Sequence, residues 1–456
     1  MTKDLQADGF DKRTFYKTVC ALVLPMAAQN LINVAVTSAD VFMLGKVSET
    51  ALSGASLAGQ VQFIMMLIFF GLTSGACVLT AQYWGKGDTR TIEKVLGIAL
   101  RFSLSVATFF VLAVLIFAEP IMHIFTSETD VIAEGVIYLR IIVFSYYMMA
   151  FTMIYLNICR SIERVLISTA VLFISLMINI ALNTVLIFGV GSIPAMGIKG
   201  AAIATVAARA VETTIVIIYS KKVNKTIRLR LSDIISTGDK PLFADFMKYS
   251  LPVMLNELMW GGGVAMNSVI IGHLGKTVVA ANSVAQNARQ LATVVTFGLA
   301  SAAAIIIGKA IGENKPALAE IYAKKLLQLC LVMGLLGAAV ILLIRSPISA
   351  FMNLSEQSRE YLGMMMLVMS YFVVCQSVNT VIIVGILRAG GDTKFGLLLD
   401  VTTMWGCSIF IGFLAAFVLK LDVTTVYIIL MSDEIIKIPL SLLRFRSKKW
   451  IKNVTR

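Results

Sequence analysis

A few polar side chains stand where an otherwise apolar chain has little room for them. Asp40 follows Pro25 within one long apolar run. A carboxylate at membrane depth is costly and marks an ion site or a pathway. It could bind Na+ directly, or take up a proton where desolvation favours the neutral form. Asn179 and Asn183 stand at i and i+4, so on a helix they share a face. Their amide oxygens suit Na+ or a protonated carboxyl, and equally suit gluing two helices together. Thr205 could complete that cluster. Glu257 follows Pro252 closely, and Asp400 sits in Leu-Leu-Leu-Asp-Val-Thr-Thr. Glu257 is a candidate for a helix-to-helix hydrogen bond or for coupling. Asp400 is a candidate second cation site or a partner for Arg388. Arg209 and Glu212, at i and i+3, are placed to pair with each other. The chemistry on offer is cation binding rather than bond-making.

Other chemistries lack their residues. His123 and His273 have no partner at ligand spacing, so no zinc site is expected. Gly261-Gly262-Gly263 lies within a helical run and not on a strand-to-helix turn, and no G-x-x-x-x-G-K-[ST] occurs. No cofactor is expected beyond a coupling ion, H+ or Na+. The six cysteines are scattered without a C-x-x-C and read as buried free thiols.

The element that must position these residues is duplicated. Residues 25–85 and 252–312 align without a gap: Pro25 with Pro252, Gly45 with Gly272, Phe70-Gly71-Leu72 with Phe297-Gly298-Leu299, and Gly85 with Gly312. In this register Asn30 faces Glu257, and Asp40 faces Asn267. One half carries a carboxylate where the other carries an amide. Gln60 and Gln62 align with Asn287 and Arg289. With Gln376, the amides Gln60, Gln62 and Asn287 are candidates for a polar-lined substrate cavity, though helix packing would also use them. The prolines permit bends in apolar helices, which makes Pro25 and Pro252 candidate hinges.

The chain has 456 residues, 58% apolar and 14% charged, with mean hydropathy +0.87. Soluble domains average roughly 45–50% apolar and about 25% charged. Twelve apolar spans are predicted, near 15–43, 52–83, 92–118, 130–158, 163–189, 197–219, 244–271, 278–310, 318–344, 358–386, 394–418 and 423–443. The fold class is therefore all-α integral membrane: 12 transmembrane helices in two pseudo-symmetric six-helix bundles. The bundles are 1–219 and 244–443. A linker loop, 220–243, joins them, and a basic tail, 444–456, follows. Most of the 39 Lys and Arg fall in alternate loops and in the termini. The positive-inside rule then puts both termini in the cytoplasm of a multi-pass plasma (inner) membrane protein. The net charge of +13 needs no nucleic acid to explain it.

At this point the residues resemble the multidrug and toxic compound extrusion (MATE) transporters. The carriers are Leu-Pro-Met at 24–26 leading to Asp40 and Gly45, and Ala-Gln-Tyr-Trp-Gly at 81–85. Asn179, Asn183 and Ile187-Phe188-Gly189 follow, then Gly200-Ala201-Ala202-Ile203-Ala204-Thr205. The second half supplies Leu-Pro-Val at 251–253 and Leu-Arg-Ala-Gly-Gly-Asp-Thr-Lys at 387–394. The resemblance implies alternating access and antiport, with H+ or Na+ entering as an amphipathic, often cationic, compound leaves. It implies that Asp40 couples the cation, with Asn179 and Thr205 as its polar partners. Asn183 departs from members that carry Asp there. Asp400 matches an acidic residue of many bacterial relatives.

The expected partners are a small amphipathic substrate and membrane lipid, with no nucleic acid and a monomeric chain. The alternatives are a lipid-linked saccharide flippase of the same superfamily, an integral-membrane enzyme and a channel. A flippase needs a cationic cavity, whereas carboxylates outnumber basic groups at membrane depth here. An enzyme needs clustered catalytic residues, which are missing.

Overall fold

The structure, a computed structural model, describes residues 10–191, 193–235, 239–351 and 355–456. The start of the amino-terminal segment and residues 236–238 of the linker lie outside the described residues. So do residue 192 and residues 352–354.

Apolar sequence in lipid must satisfy every backbone N–H and C=O internally, which selects helices. The described chain forms α1 (Lys12–Gly45), α2 (Glu49–Lys86), α3 (Thr89–Phe125), α4 (Thr129–Ile142), α5 (Ser145–Ser161), α6 (Leu166–Phe188), α7 (Ile198–Val223) and α8 (Leu231–Ile235). There follow α9 (Lys240–His273), α10 (Lys276–Gly312), α11 (Pro316–Phe351), α12 (Glu356–Leu387), α13 (Thr393–Val418), α14 (Val423–Leu430) and α15 (Asp433–Arg446). Joining α4 with α5 and α14 with α15, and setting aside the short α8, gives the twelve spans. By length and apolarity alone, 9 of the described helices could cross a membrane, and 10 if α4 and α5, bent by 55°, count as one span. Those that fall short, α9 and the α14–α15 pair, are the ones that carry Glu257 and the triplet Asp433, Glu434 and Lys437.

Local chemistry sets several boundaries. Asp88 accepts a hydrogen bond from the Thr91 N–H at 3.0 Å and caps α3. Asp422 does the same for Thr425 at the start of α14. Gly189, at φ +77°, takes the left-handed turn that ends α6. Near the end of α3 the helix breaks at Phe117, three residues before Pro120, a bend the sequence reading does not contain. Pro25 and Pro252 each lie within a continuous helix.

Two compact units emerge, and membership does not follow chain order. One, the Asp40 unit, holds residues 28–80 and 88–250; the other, the Asp400 unit, holds the described residues up to 27 with 81–87 and 251–456. Within the Asp40 unit the linker helix α8 docks on α3. Arg90 donates to both Asp233 carboxylate oxygens, at 2.6 and 2.7 Å, and Lys94 meets Asp239 at 2.9 Å. Within the Asp400 unit the carboxy-terminal segment is packed rather than loose. Trp450 is fully buried, and Gln82 is bonded to Ala389 O, Lys452 O and the Val454 N–H.

The duplication is legible in side-chain contacts. Gln62 reaches the Met149 sulfur at 3.6 Å, and Arg289 reaches Gln376 at 3.2 Å; each pair is 87 residues apart. Arg160 donates to Gln29 at 3.1 Å and Arg388 to Glu257 at 2.8 Å; each pair is 131 residues apart. The gapless alignment set Asn30 against Glu257. The arginines correspond at an offset of 228 and the proline-bearing helices at 227, so Arg160 meets Gln29, the neighbour of Asn30, as Arg388 meets Glu257. Gly85 and Gly312 show why glycine repeats at that point. A Cβ on Gly85 would lie 2.1 Å from Lys309 O, and one on Gly312 1.9 Å from Gln82 O, so α2 and α10 touch backbone to backbone.

Candidate functional site

The Asp40 unit gathers the amino-terminal candidates into one hydrogen-bonded line. Asp40, from α1, accepts from Asn183 Nδ2 at 2.6 Å. Asn183 Nδ2 also donates to Asn179 Oδ1 at 3.1 Å, as the i, i+4 spacing on α6 requires. Asn179 Nδ2 points to Thr205 Oγ1 on α7 at 3.4 Å, and that hydroxyl donates back to Ala201 O at 3.0 Å. Helices α6 and α7 pack along their length, which brings Thr205 to the asparagine face. Both asparagines are buried, Asn183 completely.

One atom of this line is left over. Asn183 Oδ1 is buried and accepts no hydrogen bond; among the described residues the other such buried side-chain atoms are Tyr146 Oη, Ser250 Oγ and Asn267 Oδ1. An unsatisfied buried carbonyl is costly, about 1–3 kcal/mol, and each one asks for an explanation. Here it lies on the amide that also contacts a carboxylate. A carboxylate, two amide oxygens and a hydroxyl form the oxygen set that hard cations take. These residues fit a monovalent cation, or a proton shared with Asp40.

Charge supports the same chemistry. Arg209 is within electrostatic range of Asp40, yet its Nη1 is bonded to Glu212 at 2.7 Å. Glu212 is buried and also accepts from Ser175 at 3.2 Å. Glu212 thus offsets Arg209, which leaves Asp40 without a bonded cation among the described residues. Lys46, which follows α1, lies over the Phe42 ring at 4.6 Å. Tyr138 was not among the sequence candidates and is within electrostatic range of Asp40.

The Asp400 unit holds a different arrangement. Asp400 meets Lys437 Nζ at 3.0 Å and Asn256 Nδ2 at 2.9 Å. Arg388, the basic partner the sequence offered to Asp400, belongs to Glu257 instead. Lys437 is the centre of this cluster: Asp433 is at 3.0 Å and Glu434 at 3.2 Å. Asn379 donates to Glu434 Oε2 at 2.8 Å and accepts from Ser441 at 2.9 Å. The sequence reading missed Lys437, Asp433 and Glu434. The signal was present as a lysine in an apolar run with acids at i−4 and i−3. The helix is wide-turned at Val381–Leu387, just before Arg388, and at Val401–Ile409, just after Asp400. Such π-helical turns recur at functional sites.

The cavity candidates separate. Gln376 is buried and bonded to Arg289, and Gln62 is held at Met149. Gln60 and Asn287 are exposed.

Apolar helices long enough to cross a membrane, set in a duplicated frame, define a multi-pass membrane protein. The chain belongs to the MatE family, whose profile matches residues 25–185 and 252–414, once in each half. Among curated relatives, the probable multidrug resistance protein NorM of Rhizobium meliloti is 27% identical over 69% of this chain and 67% of its own. The NorM of Thermotoga maritima is 22% identical over 96% of this chain and 93% of its own. A MOP superfamily transporter from Pyrococcus furiosus shares the fold with TM-score 0.86 at 17% identity, covering 98% of both chains.

Proposed function

We propose that the protein is a cation-coupled antiporter that exports amphipathic, cationic small molecules by alternating access. H+ or Na+ is the driving ion, and Asp40 with Asn179, Asn183 and Thr205 is its site. The observation that carries this reading is the Asp40–Asn183 contact at 2.6 Å beside the orphaned Asn183 Oδ1. In one state Asp40 is neutralised by the ion and the substrate is released outward. In the other the ion has left inward and Asp40 is charged. The ion shifts the balance only through unequal affinity for the two states. Pro25 and Pro252 are the proposed hinges, and the exposed amides Gln60 and Asn287 the proposed substrate contacts.

Glu257 and Asp400 already face internal cations, Arg388 and Lys437. They are read as structural charge pairs, with the coupling charge resting on Asp40. Multidrug resistance in the names of the NorM relatives supports a drug-like cargo. The setting proposed is the plasma (inner) membrane, with both termini cytoplasmic and the chain a monomer.

The test is efflux of a fluorescent lipophilic cation from proteoliposomes under imposed pH or Na+ gradients. Flux driven by one gradient and abolished by its ionophore supports the reading. Folded protein that moves several such dyes under neither gradient overturns it, in favour of a flippase or a narrow metabolite exporter.

A further inference from the structure

The Asp400 unit holds one more cation that its charge pairs leave out. Arg289 stands within α10, whose other charged residues are Lys276 and Lys309. At 1.5 Å per residue it lies about 20 Å from the first and about 30 Å from the second, well inside the apolar run. A guanidinium at that depth is costly and marks a functional position. Its hydrogen bonds go to amides: Nε donates to Gln286 Oε1 at 2.7 Å and Nη1 to Gln376 Oε1 at 3.2 Å. Asp433 and Glu434 are within electrostatic range of it, yet both are bonded to Lys437. Among the described residues no carboxylate forms an ion pair with Arg289, since Glu257 belongs to Arg388 and Asp400 to Lys437.

The fold itself does not ask for this charge. In the duplicated frame Arg289 stands where the other half has Gln62, and each reaches the residue 87 positions further on. A neutral amide satisfies the position in one half. Asn282, Gln286 and Arg289 share a face of α10 at i, i+4 and i+7. Asn282 accepts from Tyr427 Oη at 3.2 Å and from Gln286 at 3.5 Å, so a line of amides ends on the guanidinium. Phe372, from α12, has its ring centre 6.0 Å from the guanidinium carbon. On the adjoining face of α10, Ser283, Asn287 and Gln290 are exposed, and Arg289 is itself partly exposed. Amides exposed midway along an apolar helix are out of place in lipid and belong beside a water-filled cavity. A guanidinium at the margin of such a cavity meets both oxygens of a carboxylate with its planar donors.

We propose that Arg289 is an anion-recognising residue of the substrate site, which receives the carboxylate of an amphipathic molecule while the apolar part of that molecule lies against Phe372. The inference rests on the reading that the cargo is a small amphipathic compound, and it extends that cargo from plain cations to zwitterions. Few, well-placed polar groups in an otherwise apolar site are what fix the orientation of such a ligand.

The experiment measures equilibrium binding of one rhodamine in two forms, the free acid and its ethyl ester, to the full chain in detergent by fluorescence polarisation. Both forms carry the xanthene cation, and at neutral pH only the acid adds a carboxylate. Wild type is expected to bind both. In Arg289→Gln, which installs the residue type of the other half, the ratio of acid to ester affinity should fall about tenfold or more. Gln376→Glu sets a carboxylate of the chain against the guanidinium and should lower the same ratio, which keeps the test decisive should Arg289→Gln fail to fold. An unchanged ratio in a folded variant overturns the inference, because an arginine that only balances Asp433 and Glu434 would move both affinities together. So does a wild type that fails to bind the acid. Displacement of the acid by phosphatidylglycerol added to the micelles would give the guanidinium to a lipid phosphate and overturn it too. No gradient is applied, so acid binding that depends on Arg289 in a protein without gradient-driven efflux would uphold this site and overturn the antiport reading alone.

Discussion

Lys437→Met removes the ammonium that meets three carboxylates, the buried Asp433 and Glu434 and the partly buried Asp400. Asp400 and Asp433 are each 3.0 Å from Nζ and Glu434 is 3.2 Å away, while Lys437 itself is 2% exposed. At an effective dielectric near 20, two unit charges about 4 Å apart interact by about 4 kcal/mol. Most of that is offset by the cost of desolvating both groups. Removing one partner keeps the desolvation cost and loses the attraction, which destabilises by about 3–5 kcal/mol. Methionine fills similar volume, so the loss reports charge and not a cavity. At about 2–4 °C per kcal/mol for a unit of this size, the unfolding midpoint should fall by roughly 10 °C. A second change, Asp433→Asn, removes one of the stranded charges and should restore several of those degrees. The assay is thermal unfolding of purified protein at neutral pH. A single variant within about 2 °C of wild type, or a double variant no better than the single, would refute the reasoning.

Other consequences follow from named contacts. Glu257→Gln removes the carboxylate that faces the buried Arg388 and should cost about 2–3 kcal/mol, whereas Gln29→Glu gives Arg160 an anion and should be neutral or stabilising; paired denaturation curves check the asymmetry. Asp392 is held by Arg444 at 2.6 Å and Lys452 at 2.9 Å. Burial alone would push its carboxyl up, but those two hydrogen-bonded cations hold it below the ordinary 3.8. Its folded value is depressed, so its contribution is complete above about pH 4 and is lost as pH falls through the folded value. Proteolytic release of the carboxy-terminal segment should thus be flat from pH 7 to 5 and rise only below about 4, while Asp392→Asn should raise it at neutral pH. Gly390→Ala would place a Cβ 1.7 Å from Trp450 O, so this variant should release the same segment without any change of charge.

Spacing along one helix was readable from sequence, and contact between helices was not. Asn179 and Asn183 share a face because a helix has 3.6 residues per turn, and the structure joins them at 3.1 Å. Arg209 and Glu212 meet for the same reason. A basic partner for Asp400 was among the readings, but that it is Lys437 rather than Arg388 depends on the packing of α13 against α15, which no local spacing reveals. Lys437 went unnoticed beside the basic tail, where a lysine reads as solvated. The tail itself looks like a loose charged end, and one buried tryptophan with a glycine facing it turns it into packed structure. The repeat was legible from its prolines and glycines. That Arg160 meets Gln29 and Arg388 meets Glu257 needed the structure, because those contacts join different helices.

The central claim is that the charge on Asp40 couples ion to substrate, and Asp40→Asn tests it most directly. Wild type and variant would be reconstituted in equal amounts, with thermal unfolding confirming that both are folded. Gradient-driven efflux of a lipophilic cation should fall at least about tenfold in the variant, since asparagine keeps the size and hydrogen bonding of the side chain but carries no charge to neutralise. Efflux by a folded Asp40→Asn protein at the wild-type rate, with the same dependence on the gradient, would contradict it.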